Sequence, residues 1–247
     1  MELDRIIAVR NTKTVYRDGN EAIKVFIRAY DKADILTEAA NLARMEAAEL
    51  PVPKLLRLET PAGRWAIVMQ FLRGRTLAQL LARGALSMDE AAGHMAALAA
   101  QVHAAPGRGL CPLVTILKDD LARAALPEQT RAALFTRLAA LPEGSGVCHG
   151  DLAPENILLG SDGKLRLLDW PHASRGCGAA DAAYSCIRLH LDGQTELARR
   201  FAARYCAASG ADAAFLAAWS PVVAAARSVH ARPGRREALL KLAARCL

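Results

Sequence analysis

The sequence predicts a two-lobed α+β fold, in which a small antiparallel sheet with one helix precedes a mainly helical region. Three observations carry this reading. Three β-rich segments lie between Arg5 and Ile27; a helix-period stretch separates them from two further apolar segments; and alanine accumulates after Ala91. Alanine loses no side-chain entropy on entering a helix, so its enrichment marks helical structure.

The opening strands read IIAV, TVYR and AIKVF. Asp18-Gly19, between the last two, signals a hairpin, because both central positions of a type I′ turn need φ > 0. From about Ala33 to Glu49, Ile35, Leu36, Ala39, Leu42 and Ala43 recur at helix-face spacing, and Pro51 and Pro53 end the stretch. KLLRLE and RWAIVMQF, joined by Pro61-Ala62-Gly63, read as a second hairpin. These five strands and one helix predict an N-lobe over 1–72, with a hinge near Gln70 to Gly74 and a helical C-lobe over 73–247. Ser87-Met88-Asp89-Glu90 predicts a capping box opening a helix to about His103, since the serine accepts from the N3 amide while the glutamate reaches back. Helical patterns recur at 115–124, 128–140, 180–191, 194–208, 211–226 and 234–246.

Composition excludes several function classes. The 247 residues are 53% apolar and 23% charged, as in an ordinary globular protein. The net charge of +7 is spread along the chain without a basic block, which argues against nucleic acid and for a surface that attracts polyphosphate. Cys111, Cys148, Cys177, Cys186, Cys206 and Cys246 form no CxxC pair and suit a reducing compartment; no Cys/His spacing fits structural zinc. MELDRIIAVR contains no signal-length apolar run, and the apolar stretch Phe215 to Ala226 is interrupted by Ser220 and Pro221 and falls short of the about 20 residues a span needs. The expectation is a cytoplasmic protein without membrane attachment, a monomer or weak dimer.

The chemistry concentrates in Val147-Cys148-His149-Gly150-Asp151-Leu152-Ala153-Pro154-Glu155-Asn156-Ile157-Leu158-Leu159 and in LRLLDW, which ends on Asp169 and Trp170. Phosphoryl transfer requires a cation bridging phosphate oxygens and a carboxylate that accepts from, or orients, the attacking hydroxyl. Asn156 and Asp169 offer hard oxygen ligands for Mg²⁺, and Asp151 offers the acceptor.

HGDLAPEN followed by LLDW resembles the catalytic and metal-binding loops of the aminoglycoside phosphotransferase superfamily, small-molecule kinases of the protein-kinase-like fold. The resemblance spans roughly Arg5 to Ala183. It implies ATP as donor, with GTP as an alternative, and a hydroxylated small molecule as acceptor, either a metabolite or an aminoglycoside-type antibiotic. It implies that Lys24 contacts the α- and β-phosphates, that Glu38 pairs with that lysine, and that the backbone of Gln70, Phe71 and Leu72 receives adenine. His149 then has a scaffolding role, and Asp181 braces the catalytic loop by accepting backbone N–H groups.

The chain departs from that pattern in two places. Arg10, Asn11, Thr12 and Lys13 replace the usual glycine-rich loop, leaving Asn11, Thr12 and Lys13 to cover the phosphates. The tail offers few carboxylates against many arginines, so a polycationic acceptor is permitted but not supported by charge. Asp119 and Asp120 are candidates to face a cationic substrate, or else a solvated helix turn. A protein kinase is disfavoured by HGD, by Trp170-Pro171 after Asp169 and by the lack of an APE segment; a pseudokinase or interaction module is disfavoured by the intact Lys24, Asp151, Asn156 and Asp169.

Overall fold

The computed structural model of the chain describes residues 5–245. Cys246 and the end of the basic KLAARCL tail lie outside the described residues.

The sheet forms as the alternation requires. β1 (Arg5–Val9), β2 (Lys13–Asp18), β3 (Glu21–Phe26), β4 (Leu55–Glu59) and β5 (Ala66–Gln70) make one antiparallel sheet in the order β1-β2-β3-β5-β4. The β2–β3 hairpin is present, but its turn is centred one residue later than predicted. Asp18 pairs with Glu21, and Gly19-Asn20 makes the turn with positive φ at Gly19 alone. One positive φ at the first central position is the type II′ pattern, which glycine accommodates without a Cβ clash.

Successive residues of a strand face opposite sides of the sheet. Phe26 and Ile67 meet Ile35 and Ala39 of α1 (Lys32–Ala47), while Ile23, Val25, Ala66 and Val68 cluster apart from them. Lys24 shares the face of Phe26 and is thereby aimed at α1. Asp31 caps α1 by accepting from the Ala33 amide at 2.7 Å. Glu46 accepts the Leu55 amide at 3.0 Å and fixes the start of β4.

The helical region holds α2 (Leu77–Ala82), α3 (Met88–Ala104), α4 (Leu113–Arg123), α5 (Glu128–Ala140), α6 (Gly178–Leu191), α7 (Thr195–Ser209), α8 (Ala213–Ser228) and α9 (Pro233–Arg245). Both capping boxes form, Thr76 with Gln79 and the predicted Ser87 with Glu90. α8 runs through Pro221, which has no N–H to donate, so a proline predicted to interrupt the apolar stretch sits inside one helix. No single helix among the described residues is long and apolar enough to cross a membrane.

Short ladders hold the segment that carries Asp151 and Asn156. β7 (Gly146–Cys148) pairs with β10 (Ser174–Gly176), and β8 (Ile157–Gly160) lies between β6 (Gly74–Thr76) and β9 (Leu165–Leu167). Strands of three or four residues carry almost no periodicity, so the sequence does not delimit them. Their effect is to fix both ends of the 149–156 loop and to deliver Asp169 just past β9.

Candidate active site

Glu38 and Lys24 form a buried ion pair, and Lys24 also donates to Asp169 Oδ1 at 2.6 Å. Lys13, at the start of β2, reaches the same oxygen at 2.6 Å. Burial by itself would lower the Lys24 pKa, but Glu38 and Asp169 outweigh it and raise the value. Burial likewise opposes ionisation of Asp169, and the two lysines reverse this to hold the carboxyl well below the usual range. The Lys13 pKa is lowered, chiefly by burial and then by Lys24 beside it. Asp169 has φ of 68°, a left-handed conformation uncommon for a side-chain-bearing residue.

The 149–156 loop is held from below. Asp181, in the first turn of α6, accepts the His149 amide at 2.7 Å, the Gly150 amide at 2.8 Å and His103 Nε2 at 3.1 Å. Burial opposes its ionisation, but these donors bring its pKa down to about 2. His149 accepts the Asp151 amide on Nδ1 at 3.1 Å and donates from Nε2 to the Leu168 carbonyl at 3.0 Å. With both ring nitrogens engaged, it scaffolds the loop and has no lone pair left for proton abstraction.

Asp151 sits half-buried at the loop's tip. Asn156 Nδ2 donates to its carbonyl at 2.8 Å and its Oδ2 at 3.1 Å, and Arg188 of α6 binds its Oδ1. Burial raises the Asp151 pKa, and Arg188 opposes the rise. Arg188 also binds Glu155 and lies 3.7 Å from Asp192, which Arg235 of α9 holds at 2.7 Å. Arg188 was missed in the sequence, although it stands seven residues after Asp181 and therefore on the same helix face. Asn41 was missed too. It interrupts the apolar stripe of α1 one turn after Glu38 and donates to the Trp170 carbonyl at 3.1 Å, tying the helix to the Asp169 segment.

The donor set fits Mg²⁺. Among the described residues Asn156 uses only its Nδ2 and Asp169 only its Oδ1, so the Asn156 Oδ1 and Asp169 Oδ2 oxygens are available to a hard cation. At the predicted hinge, the Gln70 amide already bonds the Lys54 carbonyl at 2.9 Å and the Phe71 amide the Asn20 carbonyl at 2.8 Å. A cavity of about 320 Å³ is lined there by Gln70, Phe71 and Leu72. The turn before β2 is closed by Arg10 N–H to Lys13 C=O at 2.8 Å, leaving Asn11 exposed and Thr12 half-buried. Asp119 is exposed, whereas Asp120 is buried on the wall of a second cavity between α1, α4, α8 and Pro171–Ser174. Two neighbours already hold Asp120: Arg123, and His230 at 2.9 Å.

A sheet capped by one helix, a helical mass and a loop carrying Asp151 and Asn156 beside Asp169 together define a small-molecule phosphotransferase of protein-kinase-like architecture. The chain belongs to the phosphotransferase enzyme family, whose profile matches residues 8–219. Its structure is similar to a choline kinase, LicA from Streptococcus pneumoniae, with TM-score 0.68 and 18% identity over 99% of this chain and 94% of that one. It is also similar to a type VIII aminoglycoside-3'-phosphotransferase, with TM-score 0.65 and 18% identity over 98% and 93% of the two chains. A third similar structure is aminoglycoside phosphotransferase APH(3'')-Id from Streptomyces rimosus, bound to ADP and streptomycin, with TM-score 0.58 and 21% identity over 88% and 92%. No curated protein sequence matches the chain.

Proposed function

We propose that this kinase transfers the γ-phosphate of Mg-ATP to a hydroxyl of a small molecule, with residues 1–72 as nucleotide lobe and 73–247 as catalytic and acceptor lobe. The observation that carries the reading is the continuous chain Glu38–Lys24–Asp169–Lys13, in which two ammonium groups converge on one carboxylate. A polyphosphate offers acceptors to both ammonium groups, and Mg²⁺ would take up the Asp169 carboxylate.

Lys24, fixed by Glu38, would bind the inner phosphates. Lys13 takes the place of the glycine-rich loop as a cationic clamp beside Asn11 and Thr12. Leu72 and the carbonyls of the 70–72 segment would receive adenine, because the Gln70 and Phe71 amides are engaged within the protein. Asn156 and Asp169 would hold Mg²⁺, which when bound neutralises charge on the phosphate oxygens. Asp151 accepts a hydrogen bond from the acceptor hydroxyl, orients it and takes its proton as the bond to phosphorus forms. Asn156 and Arg188 fix that carboxylate from both oxygens, so positioning contributes alongside charge.

The test measures ADP release from Mg-ATP with a panel of hydroxylated small molecules and a peptide mixture. Turnover with a small molecule, together with loss of Mg-dependent nucleotide binding in Asp169→Asn, supports the reading. Phosphate appearing on peptides alone, or Mg-dependent binding unchanged in Asp169→Asn, overturns it.

A further inference from the structure

We infer that the acceptor carries a negative charge beside its hydroxyl, as a carboxylate or phosphate, and that the cavity between α1, α4 and α8 seats it. This rests on the kinase reading and names the chemistry of its acceptor.

The cavity, about 570 Å³, adjoins the base through two wall residues. His172 packs so closely on Gly150 that a Cβ added there would lie 2.7 Å from the His172 Cβ. Arg227 of α8 donates to the Gly150 carbonyl at 2.9 Å. Gly150 immediately precedes Asp151, so a molecule filling the cavity ends beside the catalytic loop.

The charges around this space decide what it accepts. Asp120 is the one carboxylate among the described lining residues, and Arg123 and His230 already hold it. Near the base, Asp151, Glu155 and Asp192 are paired with Arg188 and Arg235. An ammonium-rich acceptor would meet only carboxylates that already have cationic partners, and it would have to compete with those partners for them.

An anion meets the opposite situation. Arg227 uses one edge on Gly150 and one face on the Tyr184 ring, 4.4 Å away, leaving further donors. Arg44 sits exposed on the wall, its guanidinium bonded among the described residues only to Asn41 Oδ1 at 3.3 Å. A guanidinium has five N–H donors in a planar fork that matches carboxylate and phosphate. Leu36, Leu113 and Ile116 supply an apolar wall for the carbon skeleton.

Calorimetric titration of the full chain, saturated with Mg-ADP, tests this with gluconate and 3-phosphoglycerate as anionic probes and kanamycin and choline as cationic ones. At least one anion is expected to bind more tightly than either cation. Arg44→Glu should weaken the anion about tenfold or more, while Arg44→Lys, which keeps the charge without the fork, retains part of the affinity. Titration of each variant with Mg-ADP reports that the fold and nucleotide site are intact. The inference is overturned if kanamycin or choline binds more tightly, if no anion binds, or if Arg44→Glu leaves anion binding unchanged. A wild-type chain that does not bind Mg-ADP at all would overturn the kinase reading itself, a separate outcome.

Discussion

On the sheet side of the site, Lys24 and Glu38 are sealed from water, with side chains only 6% and 5% exposed. On the helical side, Arg188 gathers Asp151, Glu155 and Asp192, whose side chains are 28%, 32% and 34% exposed. A buried pair is weakly stabilising as a whole but costly to break, because the survivor is left charged in a low-dielectric setting. A wetter cluster tolerates the loss of a member, since water replaces it. The sheet-side cluster therefore fixes geometry and fold together, whereas the helix-side cluster, which orients Asp151 in the proposed reaction, has little hold on stability. Variants on the two sides should fail in different observables.

The largest effect belongs to Asp151→Asn, which keeps the shape and the Asn156 contact but cannot take a proton. kcat should fall about 10²- to 10⁴-fold while the KM for ATP stays unchanged, measured by steady-state ADP release. A parallel rise in that KM would show that the two sides are not separable. Glu38→Ala should behave in the opposite way. Lys24 keeps Asp169 as a partner, so the loss lies near the lower end for a broken buried pair, about 3 kcal/mol of stability. Denaturant unfolding reads the loss, and the KM for ATP should rise with it.

The same contrast governs what was legible in the sequence. The sheet-side residues were readable because the resemblance carried by HGDLAPEN and LLDW implies a strand lysine and a helix glutamate, which Lys24 and Glu38 match, and Asp151, Asn156 and Asp169 stand in those two motifs. Arg188 and Asn41 carry no local motif. Their signal is a polar residue at helix spacing from a functional one, and it has meaning only once α6 is known to run beneath the loop. Asp120 was a candidate for a cationic substrate; its wall position was not legible, and neither was its pairing with His230, which lies 110 residues away. The turn at Gly19-Asn20 was misplaced by one residue because Asp-Gly and Gly-Asn both suit tight hairpins, and only the strand register chooses between them.

Asp181 tests the support under both clusters through acid stability. Its carboxyl titrates at about 2 in the fold against 3.8 when free, a difference worth about 2 kcal/mol at neutral pH. Because the folded value is the lower one, the stabilisation is complete above the free value and is lost as pH falls through about 2. Asp181→Asn should lower Tm at pH 7 and flatten the acid limb of the stability curve between pH 4 and 2. An acid limb identical to wild type would show that other carboxylates set it.

Arg188→Met gives the smallest and most discriminating effect. The methylene stem is replaced by one of similar bulk, so α6 keeps its packing, but Asp151, Glu155 and Asp192 lose their common cation. Mutual repulsion then lets the Asp151 carboxylate turn away from the acceptor hydroxyl, and kcat should fall by about tenfold, a misorientation cost well below that of removing the base. Arg188→Lys restores the charge without the fork that spans Asp151 and Glu155, so it should recover only part of the rate. The KM for ATP and the denaturation midpoint should stay at wild-type values in both, because neither touches the Lys24 chain. If Arg188→Met instead lowers stability as much as Glu38→Ala does, the helix-side cluster is structural and the division between the two sides fails.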